Sequence, residues 1–431
     1  MRNTRHTLLI LTALLLFPAL APAALKTLPL ESEQFEQPPV LRASQYLSPG
    51  LYESPFHKVD EDIPTSGFTN KYTVISKFGT YRPHGNTMLA KRVNELHAIN
   101  RLRKMRATDG FTQGAENAAK GPLSAAKNLI TDPVDTITGV PKGIWNFMEN
   151  LGEMTKGGRS KHEEGVTKEL IGFASAKRKL AYDLGVDVYS DNKTLQKELN
   201  SVAWANYSGG FIINAAMLAG PRFLVVTKNI DRLNQLLRDS SPEDLRRINR
   251  ERLMWMNMEP ETAEALLDHP FYSPRHETFL AGSLYEMKGV GGRAEFVQRA
   301  TEAKSTNTAL IFQKMAELMY EYHSKVDEIE RIVTIRRFPM GVTRGGALFL
   351  PFVCDYEVWS PQLAKMVNEM VQEYPEKAGS ISRIELWTTG TLSQKAKDRL
   401  SYMGFDVQEK AFEYMKDLER GTTATDTWHK P

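Results

Sequence analysis

Apolar and polar residues alternate over Tyr72-Thr-Val-Ile-Ser-Lys-Phe78, the period of a half-buried strand. Gly79 breaks the run, and Thr80-Tyr81-Arg82 offers the return strand of a small hairpin. From Asn86 the period lengthens. Leu89, Val93, Leu96, Ile99 and Leu102 recur every three or four positions and predict an amphipathic helix over 87–106. Residues 165–190 carry a second helical pattern that turns at Gly185. The stretch from Leu199 to Pro221 holds 23 residues without a charge. Its length suits a membrane span, but Asn200, Asn206, Asn214 and Gly209-Gly210 predict a buried, glycine-notched helix or helical hairpin, because lipid satisfies no side-chain amide.

Helix-start signals then repeat. Ser241-Pro242-Glu243-Asp244 places a cap, a proline at the first helical position and acids in the first turn. Glu259-Pro260 and Ser273-Pro274 do the same, and 292–303 and 306–322 complete five helices joined by short turns. The last hundred residues change period again. Glu330–Arg336, Ala347–Val353, Ser382–Thr388 and Gly404–Gln408 read as strands; helices are expected from Ser360-Pro361 through Glu373, after Ser393, and over 409–419. The order ββαβαβα describes a mixed sheet. The expected fold is therefore α+β and predominantly helical: a small N-terminal hairpin, a central helical array, and a C-terminal mixed-sheet α/β unit.

The flanks add an address. Arg2, Arg5 and His6 precede an apolar run from Leu8 to Phe17, Pro18 ends it, and Ala21-Pro22-Ala23 supplies the small residues of a signal-peptidase site. Export is expected, with cleavage after Ala23, into the periplasm of a Gram-negative host or otherwise to the outside. The organisation then reads as 1–23 signal peptide, 24–66 proline-rich extended leader, 67–160 hairpin with amphipathic helical arms, 161–325 helical domain, 326–420 small α/β domain, and 421–431 loose tail.

Composition narrows the chemistry. The 431 residues include 55 Lys+Arg, 52 Asp+Glu and one cysteine, Cys354. Removing 1–23 takes away two arginines and no acid, leaving a mature charge of +1. That balance does not suggest a nucleic-acid partner. A single thiol excludes an intrachain disulfide framework and thiolate clusters, and none lies beside the cleavage site to carry a lipid.

Candidate sites are few. The helix over 87–106 carries Lys91, Arg92, Arg101, Arg103, Lys104 and Arg106 against Glu95 alone. These cations form either a docking face for an anionic partner, such as a phospholipid head group or an acidic glycan, or a solvated face whose last turn complements the helix dipole. Segment 133–154, with Trp145 and Phe147, and segment 199–221 are the candidates for membrane contact. Asp268, His269, His276 and Glu277 flank one turn and could bring carboxylate and imidazole together; they equally suit helix ends. No spacing for a metal site or a cofactor loop is present, so none is expected.

Ser124-Ala-Ala-Lys127 followed by Ser190-Asp191-Asn192 resembles two elements of the serine penicillin-recognising enzymes. The third, Lys-Thr-Gly, has only Thr388-Thr389-Gly390 as its nearest counterpart, without the lysine. Thr389–Ser393 joins a strand to a helix start, where anions bind or where an ordinary cap sits. Asp355-Tyr-Glu-Val-Trp359 follows a strand and either lines a recognition surface or seals a sheet edge. The functional expectation is an exported, non-enzymatic envelope protein that binds or organises an envelope protein, a glycan or a membrane surface. The alternatives are a hydrolase assembled from dispersed residues, Asp268, His269, His276 or Asp355 among them, and a peripheral membrane-active protein.

Overall fold

A helix of 21 residues, Asn86–Arg106, runs through the middle of the N-terminal half and is buried on nearly every side. It belongs to a computed structural model that describes residues 25–113 and 168–421. Around it lie short strands β1 (Val40–Arg42), β2 (Glu53–Ser54), β3 (His57–Val59), β4 (Asp62–Pro64), β5 (Val74–Ser76) and β6 (Gly79–Tyr81). Two helical turns, α1 (Ala43–Tyr46) and α2 (Pro49–Tyr52), precede the long helix, α3. The expected hairpin is β5–β6, paired Val74↔Tyr81 and Ser76↔Gly79. It is one edge of an antiparallel sheet ordered β2-β3-β5-β6, while β1 pairs with β4. Residues 40–64 are thus folded, since each short strand finds its partner elsewhere in the same stretch and leaves little local periodicity.

Helices α4 (Lys168–Leu184), α5 (Lys193–Tyr207) and α6 (Ala215–Leu218) complete this half. Phe173, Leu180, Leu195, Leu199, Val202 and Trp204 pack in one core with Leu96, Ile99 and Leu102 of α3. The uncharged 199–221 stretch is helical only to Tyr207. Ser208-Gly209-Gly210 then breaks it, with Gly209 at φ +77°, and Asn214 caps α6 through Met217 N–H. Among the described residues no helix is long and apolar enough to cross a membrane. Segment 133–154 lies outside the described residues.

The array comprises α7 (Lys228–Asp239), α8 (Pro242–Trp255), α9 (Pro260–Leu267), α10 (Pro274–Glu286), α11 (Arg293–Ala300) and α12 (Thr306–Lys325). The expected caps at Ser241 and Ser273 each accept an N–H from the first turn, Ser305 does the same for α12, and Glu259 stands at the start of α9 without a side-chain cap bond. Strands β7 (Ile329–Ile335), β8 (Phe338–Thr343), β9 (Ala347–Phe352), β10 (Tyr356–Glu357), β11 (Arg383–Thr388), β12 (Thr391–Leu392) and β13 (Phe405–Gln408) follow, with α13 (Pro361–Ala378), α14 (Gln394–Tyr402) and α15 (Ala411–Arg420). Five of the strands form a mixed sheet ordered β13-β11-β9-β8-β7, parallel from β13 to β9 and antiparallel beyond. Strand β8 is an addition to the expected order, because Pro339 and Gly341 mask it in the sequence.

One face of this sheet shares its core with the array. Tyr322 stacks on Phe349 at 4.0 Å between centroids and donates its hydroxyl to Glu385 Oε2 at 2.9 Å. The other face carries Leu363, Val367, Met370 and Leu400 of α13 and α14. Residues 25–36 cross over these two helices, with Leu28 buried among them.

Candidate functional site

The carboxyl ends of parallel strands are where α/β units present ligand-binding groups. Here those ends are β9, β11 and β13, with the segments that follow them. After β9, Asp355 sits 8% exposed against the N-terminal half. Its Oδ1 accepts the Asn86 N–H at 2.7 Å and its Oδ2 the Asn70 N–H at 2.8 Å. Asn86 is the first residue of α3 and its cap, Gly85, has no side chain, so Asp355 supplies the missing N-terminal acceptor from 269 residues away. Burial pushes this carboxyl up to about 6, against the pull of the two N–H groups.

A polar web surrounds it. Tyr46 donates its hydroxyl to the Asp355 carbonyl at 3.0 Å, Asn86 Nδ2 donates to Tyr46, and Tyr72 donates to Asn86 Oδ1 at 2.5 Å. The backbone joins in, with Asp355 N–H on Phe68 O and Val358 N–H on Gly67 O. Next to it, Cys354 Sγ lies 2.9 Å from Thr388 Oγ1, and burial holds the thiol well above its ordinary range. A neutral thiol is a poor nucleophile. Gly390 passes so close that a Cβ there would stand 2.1 Å from the Asp355 carbonyl oxygen and 2.5 Å from that of Cys354. Glycine is required for that approach.

The second half of this edge is acidic. Glu36, from the leader, places Oε2 2.7 Å from Trp359 N and 2.5 Å from Ser393 Oγ, between the starts of α13 and α14. Glu409 Oε1 accepts Leu392 N–H at 2.6 Å. Glu357 is 4% exposed, its Oε2 has no hydrogen-bond partner among the described residues, and burial raises its carboxyl to about 8. The anion position anticipated at Thr389–Ser393 is thus filled by a carboxylate of the same chain.

A separate polar node joins α3 to the loop before α5. Glu95, fully buried, accepts Arg92 Nη1 at 2.6 Å, Ser190 Oγ at 2.5 Å and Asn192 Nδ2 at 3.0 Å. Lys91 pairs with Asp187 at 2.9 Å, and that cation helps bring the Asp187 carboxyl down to about 2 despite its burial. Most cations of α3 are accordingly engaged by the same chain, while Arg103 stays exposed beside its partner. Arg92 also meets Asp191, Arg103 and Arg106 both hold Glu198, and Arg101 donates to the carbonyls of Leu218 and Leu184. Lys104 is exposed. The acids that meet these cations lie about 90 residues downstream, so a local reading finds the cations unmatched. Ser190 and Asn192 serve Glu95 and the α5 cap, while Ser124 and Lys127 lie outside the described residues.

The Asp268–Glu277 group is distributed over helix ends. Asp268 pairs with Arg246 at 2.7 Å, and His269 Nδ1 accepts the Phe271 N–H. His276 Nδ1 accepts the Ser273 N–H in a reciprocal capping box, and burial, aided by Lys91, lowers its pKa to about 4. Glu277 is buried and pushed up to about 8. Among the described residues no group of three or more His, Cys, Asp or Glu is placed to hold a metal ion. Ser54 and His57 form a pair that no motif or spacing marks in the sequence. Ser54 Oγ lies 2.6 Å from His57 Nδ1, and His57 Nε2 lies 3.3 Å from the Leu51 carbonyl. Both residues flank the β2–β3 turn, where Ser54 Oγ also accepts the Phe56 N–H.

Two surface concavities lie away from the strand edge. One of about 450 Å³ is lined by Glu286, Tyr320, His323 and Lys325; the other, about 810 Å³, by Arg299, Arg336, Phe338 and Met366.

Glu277 gives a pH prediction. Its folded pKa of about 8 lies above the ordinary carboxyl value of 4.5, so the folded chain holds a proton that the unfolded chain has released. Stability therefore falls as pH rises from about 4.5 to 8, by up to about 1.4 kcal/mol per unit for one such group. Glu277→Gln keeps the neutral form and should be more stable than the parent by about 4 kcal/mol at pH 8, with no advantage at pH 4. Urea unfolding at the two pH values measures this; an unchanged pH slope would contradict it. Glu357, raised in the same way, leaves its own slope in both proteins.

No protein-family model matches this chain, and no curated protein or solved structure matches it.

Proposed function

We propose that this is an exported protein of the cell envelope that acts by binding or organising another molecule and not by catalysis. The observation that carries the reading is Asp355. Asp355, at the strand edge, accepts two backbone N–H groups and uses both to close the N-terminal half onto the α/β unit. The neighbouring thiol is neutral, and the neighbouring helix starts are occupied by Glu36. The signal-like segment before Ala24 supports export. A membrane-surface role for 133–154 or 199–221 stays within this reading, with liposome flotation of the mature chain as its test.

One pair favours a hydrolase instead: the Ser54–His57 contact, with the imidazole oriented by the Leu51 carbonyl, has the geometry of a nucleophile and its base. A single experiment separates the two. The full chain is expressed in a Gram-negative host, recovered by osmotic shock, and treated with a fluorophosphonate probe. The binding reading expects a mature mass beginning at Ala24 and no labelling of Ser54. Cytoplasmic retention overturns export, and labelling that His57→Ala abolishes overturns the non-catalytic role.

A further inference from the structure

Residues 25–36, extended except for a 3-10 turn at Leu30–Ser32, behave as a ligand of the α/β unit that happens to be covalently attached. Lys26 N–H donates to Met403 O at 3.1 Å, beyond the end of α14. Leu28 exchanges two hydrogen bonds with one side chain: its N–H reaches Asn368 Oδ1 at 2.9 Å, and its carbonyl accepts Asn368 Nδ2 at 2.8 Å. An amide on α13 thus reads an extended backbone as a neighbouring strand would. Leu25, Leu30 and Phe35 pack on the same apolar face as Leu28.

Two of the three acids of the arm, Glu33 and Glu36, meet complements on this surface, while Glu31 is exposed. Glu33 pairs with Arg399 at 3.1 Å. Glu36 closes the arm, its N–H on Trp359 O at 2.9 Å and its carboxylate between the starts of α13 and α14. Helix starts carry partial positive charge, so both acidic positions are matched electrostatically. After Glu36 comes Gln37-Pro38-Pro39, a stiff connector that cannot continue a strand.

We infer that the α13–α14 surface is a recognition site for an extended acidic peptide segment of a partner protein, leucine followed by glutamates five and eight residues on, and that the arm occupies it in cis. The inference rests on the binding reading, and names its surface. A tethered arm holds the groove at an effective concentration of about a millimolar, so a free peptide of equal affinity is excluded from the intact chain at micromolar concentration. A partner enters by displacing the arm.

The test uses the full chain with a protease site replacing Gln37-Pro38-Pro39, cut after folding. The probe is a fluorescent synthetic peptide of residues 25–38, followed by anisotropy. Binding should be at least tenfold tighter to the cut protein, after the arm has been washed out, than to the intact one. A probe carrying Glu33→Lys and Glu36→Lys should bind at least tenfold more weakly. Should the cut protein unfold, the intact Glu36→Lys variant takes its place; it should admit the parent probe and expose its arm to proteolysis. No saturable binding to either folded protein, or binding indifferent to the two glutamates, overturns the inference. A dimer that grows with concentration and disappears on cutting overturns it too, by assigning the groove to a second copy. Failure of the probe leaves the binding reading standing, whereas Ser54 labelling would remove that reading and leave the groove.

Discussion

Glu95→Ala is expected to lower stability by about 3–5 kcal/mol, the cost of removing one partner from a buried ion pair. The carboxylate is fully buried, and three donors converge on it from α3, the loop before α5 and the α5 cap. Alanine leaves Arg92, itself largely buried, without its closest acid, and leaves Ser190 and Asn192 with unmet donors. Much of the loss is therefore the penalty of orphaned groups and not the worth of the pair. The double replacement Arg92→Met with Glu95→Leu should recover a part of the loss, since well-packed apolar side chains often substitute for a buried pair at little cost. Urea midpoints of the parent, single and double variants measure this. A Glu95→Ala protein within 1 kcal/mol of the parent would mean that water reaches the node.

Asp355→Ala is expected to cost about 3 kcal/mol, because two backbone N–H groups lose their acceptor at a buried junction. The damage should appear at α3 as much as at the sheet, since Gly85 offers the helix no cap of its own. Asp355→Asn should recover little, because an amide in place of the carboxylate opposes one N–H with another. The wild-type residue also carries a pH dependence. Its folded pKa of about 6 exceeds the ordinary 3.8, so its contribution falls as pH rises between those values and is constant above. Denaturation of Asp355→Ala should lack that component.

Much of the architecture follows from local pattern. The helical array was legible where starts are marked, with Ser241-Pro242 and Ser273-Pro274 serving as caps and first turns, but α7, which follows the apolar run 223–226 and has Thr227 as its cap with no proline behind it, was not. The C-terminal alternation of strands and helices was legible for the same reason, apart from β8, where Pro339 and Gly341 obscure the strand. The leader was less so. Its prolines suggest extended chain, but Leu30–Ser32 forms a 3-10 turn, and β1 and β4 are strands of three residues whose pairing Val40↔Pro64 has no sequence signature.

The candidate site was hardly legible, and for a physical reason. Every contact that defines it joins distant segments: Asp355 to Asn70 and Asn86, Glu36 to Ser393, Glu95 to Ser190. Cations on α3 looked like a docking face because nothing within a helical turn balances them except Glu95. Their acids, Asp187, Asp191 and Glu198, come from the far side of a long intervening segment. Asp268 and His276 lie at helix ends; His276 closes its own helix start, while Asp268 reaches across to Arg246 of α8.

On the proposed function, the strand edge fastens the two halves of the chain together and performs no chemistry. Amide hydrogen exchange of Asp355→Ala, read by mass spectrometry, tests this most directly. Faster exchange in 66–90 and 352–358, with the interior of β9 and β11 still protected, is the predicted result. Exchange like that of the parent, accompanied by loss of a measurable turnover, would contradict it.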